Sequence, residues 1–461
     1  MENATSGAER DHPIDATELV SPDEVVSEAA KLTDAAIDWN VENLDEYDPL
    51  TWVDKEKRHA RRKGFRELSL FVRITSEISD RDELFDPLAD YVTETVNDQR
   101  YYELLAREPK EVLRFGYPFV VPVNRDELDP QAETVLERTL EKDAPWAEDR
   151  FTFVDFNFYH FLRLTGYDIG PLDPDALLQN SNAQTPPNFL RISRRQMYAL
   201  THNIFFYTNF GTPHEGFPDT RVPTDLSTAL TGLTLRFLAS DDTDAVTELL
   251  ICGLIQRQID PEFARVVFSW LRSRTNDRGV VPGSGVRDAT ASPDQQVRNP
   301  DLDADALGDW NDESQEWFHD YHTVLVSGTC FSMLERDWKD LRENGPTRGL
   351  DHDEQAHLDQ LVALGKLIRL LSEYKLTDAA PLMKSLAGTP VARAYDDVFD
   401  TCVEFLRDQR TEDGHIGYFT DERYLYVTGG NDPEDFEREL LEPCTEQCEQ
   451  ALAAVEESRE D

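Results

Sequence analysis

The sequence predicts an all-α protein, because the helical spacing of apolar residues dominates the chain and strand-like alternation is rare. In residues 65–78, for example, large apolar side chains recur mostly at steps of three and four, which places them on one face of a helix. Helix start signals precede several such segments, as at Ser21-Pro22 and Thr243-Asp244. Short strands are candidates only at residues 117–123 and 424–428, and prolines in the first segment argue against a central strand.

The predicted helices follow one another along most of the chain. Pro261 starts one of them, and Asp432-Pro433 precedes the last, which is acidic. In order, the apolar periodicity predicts helices over residues 25–39, 65–78, 245–258, 261–271, 361–371 and 391–406, and a last one that ends near residue 457.

Two helix ends share a further pattern. Gly279 follows the Leu of Trp270-Leu271-Arg272 by eight residues, and Gly414 follows the Leu of Phe405-Leu406-Arg407 in the same way. Acidic residues lie between, and glycine at such a place suits a left-handed helix cap. The pattern resembles the helix-hairpin repeat of α/α toroids such as terpenoid cyclases and protein prenyltransferases. We therefore predict toroid-like helical hairpins, with an irregular helical solenoid or bundle as the alternative.

Polar breaks divide the chain. We expect a disordered acidic tail over residues 1–17, an N-terminal helical half over 18–187 and a C-terminal helical half over 188–457, together forming one toroid-like unit. The proline- and asparagine-rich segment 171–188 separates the halves. Residues 283–312 have no periodicity and form the longest predicted loop, whose order is left open.

The net charge of the chain predicts the salt concentration in which the protein works. The chain has 92 Asp and Glu against 46 Lys and Arg, which gives a formal net charge of −46. Such a chain repels itself at ordinary ionic strength, whereas at molar salt the Debye length falls to roughly 3 Å. We therefore expect a halophilic protein from an archaeon that accumulates salt. The negative surface also excludes nucleic acid as a partner, since phosphate binding needs clustered Lys and Arg.

The remaining composition predicts a cytoplasmic protein without membrane association. No apolar run reaches the roughly 18 residues that a membrane span requires, and the first residues do not form a secretory signal. Five cysteines in 461 residues do not make a disulfide framework, which favours a reducing compartment.

Two segments carry the candidate site. His202 and His322 each lie in an apolar helical pattern beside Thr and aromatic residues. Because a buried histidine needs hydrogen-bond partners, we predict that both line a polar patch in a central cavity and are the candidate catalytic residues. The alternative is two core histidines without a ligand. Hydroxyl, amide and phenol groups nearby are candidate ligand-binding residues: Thr201, Tyr207, Asn209, Tyr321 and Thr323.

These motifs carry a family resemblance. Leu-Thr-His at residues 200–202, Thr-Asn-Phe-Gly at 208–211 and Tyr-His-Thr at 321–323 resemble an uncharacterised family of bacterial and archaeal helical proteins. The resemblance covers roughly residues 190–420 and implies a toroid-like helical domain with no established activity. The family's usual form has Thr-Asp-Phe-Gly, so Asn209 removes a carboxylate and weakens any metal or acid–base role at this position.

No cofactor is predicted, with zinc as a weaker alternative. Cys330 follows His322 by eight residues, so one helix could present both, but no spacing typical of a zinc site is present. The acidic segment 240–244 is interpreted as a helix cap, and the basic segment 55–66 as a face paired with carboxylates.

Two functions remain open on this basis. The first is binding of a small molecule or a peptide in a cavity lined by His202 and His322. The second is a non-catalytic helical scaffold that binds a partner protein. Whether the protein is an enzyme is also left open, although a neutral histidine would be the least demanding general base.

Overall fold

The computed structural model describes residues 18–51, 55–79, 81–142, 145–146, 150–214, 217, 221–283, 312–348, 354–412, 414–417 and 441–460. The all-α prediction is confirmed, since helices joined by turns make up these ranges and no β-sheet is present within them. None of the helices described is both long enough and apolar enough to cross a membrane. The predicted tail at 1–17, the strand at 424–428 and most of the loop at 283–312 lie outside the described residues.

The helices of the N-terminal part are α1 Val25–Glu42, α2 Lys55–Ile78, α3 Asp82–Asn97, α4 Gln99–Arg107, α5 Val112–Phe115, α6 Val120–Asn124, α7 Pro130–Leu140, α8 Thr152–Leu164 and α9 Pro174–Gln179. They are followed by α10 Arg194–Tyr207, α11 Ser227–Leu238, α12 Thr243–Gln256, α13 Pro261–Ser273 and α14 Asp312–Asn344. The C-terminal part has α15 Glu354–Ser372, α16 Leu376–Leu386, α17 Pro390–Ala394, α18 Asp396–Arg407 and α19 Glu442–Glu460.

Several element predictions need correction. The candidate strand at 117–123 is helical, with a 3-10 turn at Tyr117–Phe119 that leads into α6. Pro118 fits there because the first turn of a helix does not need its missing N–H. The helix predicted over 391–406 is two helices, since Tyr395 between them has φ −115° and ψ 42°, outside helical geometry. Helix α1 starts at Val25, with Glu24 rather than Ser21 as the residue before it.

Helix α14 packs against four other helices, α1, α2, α12 and α13. Two glycines allow α2 and α14 to approach closely. A Cβ at Gly64 of α2 would lie 2.9 Å from Cζ2 of Trp317, and one at Gly328 of α14 would lie 2.9 Å from Cε2 of Phe71. Because neither position has room for a side chain, glycine sets the distance between the two helices. Glu67 and His322 lie at this contact.

Helix α12 is buried along its whole length, from Thr243 to Gln256. It packs against α10, α11, α13 and α14. Asp242 caps it by accepting a 3.2 Å hydrogen bond from the N–H of Ala245, as predicted for the acidic segment. Asp244 lies in the first turn of the same helix, and its carboxylate contacts α10 and α14.

The two similar helix ends form similar turns. Asn276 N–H donates to Val280 O at 2.9 Å, and Thr411 N–H donates to His415 O at 2.7 Å. Gly279 and Gly414 precede the acceptors and have φ of 76° and 90°, which glycine adopts without strain. These glycines lie in the turns rather than at the helix caps. The closed ring predicted from the pattern stays a prediction.

Candidate functional site

A cavity of about 180 Å³ lies among α2, α8, α10, α12 and α14. Most of the residues in its wall are apolar, and nearly half of these are aromatic. Its polar groups come chiefly from α2, α10, α12 and α14. The apolar residues are Leu70, Phe71, Ile74, Phe153, Val154, Phe205, Phe206, Phe210, Ile251, Leu325 and Val326. The residues with polar groups are Arg66, Glu67, Tyr117, Asn157, His202, Glu248, His322 and Thr329.

The polar wall is built around His322. Its Nδ1 lies 3.1 Å from Oε2 of Glu67 on α2, and its Nε2 lies 3.3 Å from Oδ1 of Asp244 on α12. Oε1 of Glu248, one turn after Asp244, is 3.9 Å from the same Nε2. We call these four residues the carboxylate–histidine cluster. It joins three helices whose residues are far apart in the sequence.

Helix α10 holds the carboxylates of α12 in place. The hydroxyl of Thr201 donates to Oε2 of Glu248 at 2.5 Å, and the hydroxyl of Tyr198 donates to Oδ2 of Asp244. Arg194, also on α10, pairs with Asp242 at 2.9 Å. The wall therefore has fixed side-chain positions, because each carboxylate of α12 has a partner on α10.

The charges of the cluster depend on one another. Burial opposes the charge of His322, but Asp244 and Glu67 outweigh it and raise the pKa of His322 to about 9. Burial would also raise the pKa of Glu67, yet Lys63 and His322 hold it well below its ordinary value. Burial and the charge of Asp244 raise the pKa of Glu248 to about 8. At neutral pH the cluster is thus an imidazolium between two carboxylates, beside a protonated carboxyl.

The basic segment at the start of α2 contributes to this balance. As predicted, cations of this segment pair with carboxylates: Arg61 with Glu46 at 2.9 Å, Lys63 with Glu67 at 3.8 Å and Arg66 with Glu67 at 3.7 Å. Part of this basic face also contributes to the cavity wall, since Arg66 and its partner Glu67 border the cavity.

His202 borders the same cavity from α10. Its Nδ1 donates to the backbone carbonyl of Tyr198 at 2.6 Å, which leaves the Nε2 lone pair as an acceptor in the neutral ring. Burial lowers the pKa of His202 to about 4. The ring is therefore neutral at physiological pH and can accept a proton or a hydrogen bond from a molecule in the cavity.

The other sequence-predicted residues take different positions. Thr201 lies behind the cavity wall and acts on Glu248, as described above. The hydroxyl of Tyr207 donates to Asp175 at 3.3 Å, and Tyr321 stacks on Trp317 with ring centroids 4.8 Å apart. Thr323 is buried on α14. None of these four is among the residues that border the cavity within the described ranges.

Asn209 belongs to a separate buried chain of hydrogen bonds centred on His160. The hydroxyl of Tyr117 donates to Nδ1 of His160, whose Nε2–H donates to Oδ1 of Asn209 at 2.8 Å. Nδ2 of Asn209 then donates to the carbonyl of Thr212 at 3.0 Å. Burial lowers the pKa of His160 to about 3. A neutral amide at position 209 fits this arrangement because it accepts from a neutral imidazole.

Sequence reasoning missed Glu67, Asp244, Glu248 and His160. The signal for two of them was present, since Asp244 and Glu248 lie four residues apart in a helix that is otherwise almost wholly apolar. In the sequence, Asp244 resembles part of a helix cap, and Glu248 does not stand out among 92 acidic residues. Glu67 has no local signal, because only the packing of α2 on α14 brings it to His322.

The arrangement offers two chemical capacities. The cavity can enclose a small molecule between an aromatic wall and groups that donate and accept protons. The cluster also presents three candidate metal ligands, from Asp244, Glu248 and His322, whose donor atoms all lie within 4.8 Å of one another. His322 and Glu248 take part in both.

A family model described as "Domain of unknown function (DUF6895)" matches residues 33–330. The matched segment includes the carboxylate–histidine cluster and all of the cavity-lining residues. It begins before the region on which the sequence resemblance rested and ends within α14. No curated protein and no solved structure matches the chain.

Proposed function

The chain belongs to the domain of unknown function (DUF6895) family, and from that premise we propose that it binds a small molecule in the cavity bordered by His202 and His322. The observation that carries this proposal is the cavity itself, in which an aromatic wall faces two histidines from distant parts of the sequence. The toroid-like ring of helices around it is part of the same proposal.

The volume and the wall limit the class of ligand. A cavity of about 150 Å³ holds a benzene molecule, so about 180 Å³ suits one ring or a branched aliphatic group with a small polar head. This volume favours a small molecule over a peptide segment. Because the Nε2 of His202 is an acceptor, the polar head should include a donor such as a hydroxyl.

We expect benzyl alcohol to bind more tightly than toluene, since only the alcohol can donate to His202. Saturating benzyl alcohol should raise the thermal midpoint of the wild-type protein, and calorimetric titration should give an affinity several-fold higher than for toluene. Val326→Phe, which fills the cavity, should abolish binding of both. His202→Leu should bind both compounds with similar affinity, because the hydrogen bond is lost and the apolar wall remains.

Val26→Phe is the matched control, since it makes the same substitution at an exposed residue of α1 away from the cavity. This variant should bind like the wild type. Equal binding by the wild type and Val326→Phe would refute the cavity as the binding site.

We also propose that the protein is halophilic and works in a salt-rich archaeal cytoplasm. The support is the net charge of −46, whose self-repulsion molar salt screens. Raising KCl from 0.2 to 2 M should increase the thermal midpoint by roughly 10 °C or more. Sucrose at equal osmolality is the control, because it favours burial without screening charge. A midpoint that responds equally to sucrose and KCl would contradict the screening argument.

A further inference from the structure

Three donor atoms from two helices converge beside the cavity. Asp244 and Glu248 on α12 and His322 on α14 each offer one donor atom, and the three atoms lie within 4.8 Å of one another. Nε2 of His322 lies 3.3 Å from Oδ1 of Asp244 and 3.9 Å from Oε1 of Glu248. Donors around a tetrahedral metal with bonds of about 2.1 Å are about 3.4 Å apart, so the three atoms are close to a ligand arrangement.

The other polar atom of each side chain is held by a separate partner. Tyr198 donates to Oδ2 of Asp244, Thr201 donates to Oε2 of Glu248, and Glu67 accepts from Nδ1 of His322. Metal-bound histidine commonly donates its second N–H to a carboxylate, which fixes the ring and strengthens the ligand. The same pattern here orients Nε2 and the two free oxygens toward one point.

The converging oxygens lack hydrogen bonds. Oδ1 of Asp244 is buried and accepts none from the described part of the chain, and the 3.3 Å contact with His322 does not have hydrogen-bond geometry. Glu248 is 1% exposed, and its Oε1 likewise accepts no hydrogen bond from the residues described. Oδ1 of Asp244 is a buried oxygen without a hydrogen-bond partner, which is costly, and a bound cation would satisfy it. Binding would displace the proton on Nε2 of His322 and the proton of the Glu248 carboxyl, which leave to solvent.

We propose that Asp244, Glu248 and His322 bind one divalent first-row transition ion, such as Zn²⁺ or Mn²⁺. Two carboxylates and one imidazole form a mixed oxygen and nitrogen donor set, which suits these ions better than Mg²⁺ or Cu⁺. Glu248 and His322 border the cavity, so the positions that the protein leaves open on the ion face it. The site goes beyond the proposed binding of an organic molecule and does not depend on it.

Co²⁺ titration in 2 M KCl tests the site, since cobalt reports its ligands by visible absorption and the salt weakens binding to surface carboxylates. The wild type should bind one tight equivalent, with visible bands and without the intense near-ultraviolet band of thiolate ligation. Asp244→Asn and Glu248→Gln should each lower the affinity by about 100-fold. Asp241→Asn changes an exposed carboxylate in the turn just before the same helix and should leave the affinity unchanged.

Tyr198→Phe is a milder variant that keeps the test informative if the ligand variants do not fold. It removes only the hydroxyl that holds Asp244 and should lower the affinity about tenfold. The proposal is overturned if the wild type binds no tight equivalent, if folded Asp244→Asn binds like the wild type, or if an intense thiolate band shows that cysteines bind the ion. Binding of benzyl alcohol is measured without metal, so either proposal can fail alone.

Discussion

His322→Gln is expected to lower the free energy of unfolding by about 3 kcal/mol, measured by urea denaturation in 2 M KCl with a chelator present. Glutamine keeps much of the volume of the side chain but removes the positive charge between Glu67 and Asp244. Both carboxylates are mostly buried, with 15% and 12% of their side chains exposed, so the charges that lose their imidazolium partner remain poorly solvated. The chelator separates this effect from any loss of bound metal.

A second substitution distinguishes charge from packing. Glu67→Gln should cost less in the His322→Gln background than in the wild type, because the carboxylate no longer has its imidazolium partner. We expect a coupling energy of about 1.5 kcal/mol from the double-mutant cycle. His319→Gln is the control one turn earlier on α14, where the side chain does not border the cavity, and it should cost under about 1 kcal/mol. Additive effects of the two substitutions would show that the pair does not interact as described.

The fold was largely predictable because its signals are local. Helices such as α13 carry their own start signal and a regular apolar face, so the sequence within one segment is enough to predict them. The errors arose where local signals conflict. Pro118 and Pro122 disfavour a central strand but do not by themselves predict the short helical turns. No sequence signal near Tyr395 predicts the break between α17 and α18.

The site was less predictable because it depends on long-range packing. His202 and His322 stand out as histidines in apolar segments, and they border one cavity, although their roles remain predictions. Glu67 and His322 are 255 residues apart, and only the glycine-mediated contact of α2 with α14 brings them together. Asp244 looks like a capping residue in the sequence because Asp242, two residues earlier, is one. Because acidic residues are so numerous, the few buried carboxylates do not stand out in the sequence.

Acidification should also lower the free energy of unfolding because of His160. Its pKa is about 3 in the folded chain, where burial disfavours the charged ring, and about 6.5 in an unfolded chain. The folded-state pKa is the lower one, so the stabilisation from the neutral ring is complete above about pH 6.5 and is lost as the pH falls toward 3. Between pH 7.5 and pH 5 this residue alone should cost about 2 kcal/mol.

The measurement compares urea denaturation of the wild type and His160→Gln at these two pH values in 2 M KCl. Glutamine cannot titrate, so the stability difference between the two proteins should shrink by about 2 kcal/mol at the lower pH, while all other titrating groups cancel. Asn209→Asp is the companion variant: its carboxylate would accept from the imidazolium, raise the pKa of His160 and reduce the loss of stability on acidification. Parallel pH profiles for the wild type and His160→Gln would mean that the ring does not stay neutral in the folded chain.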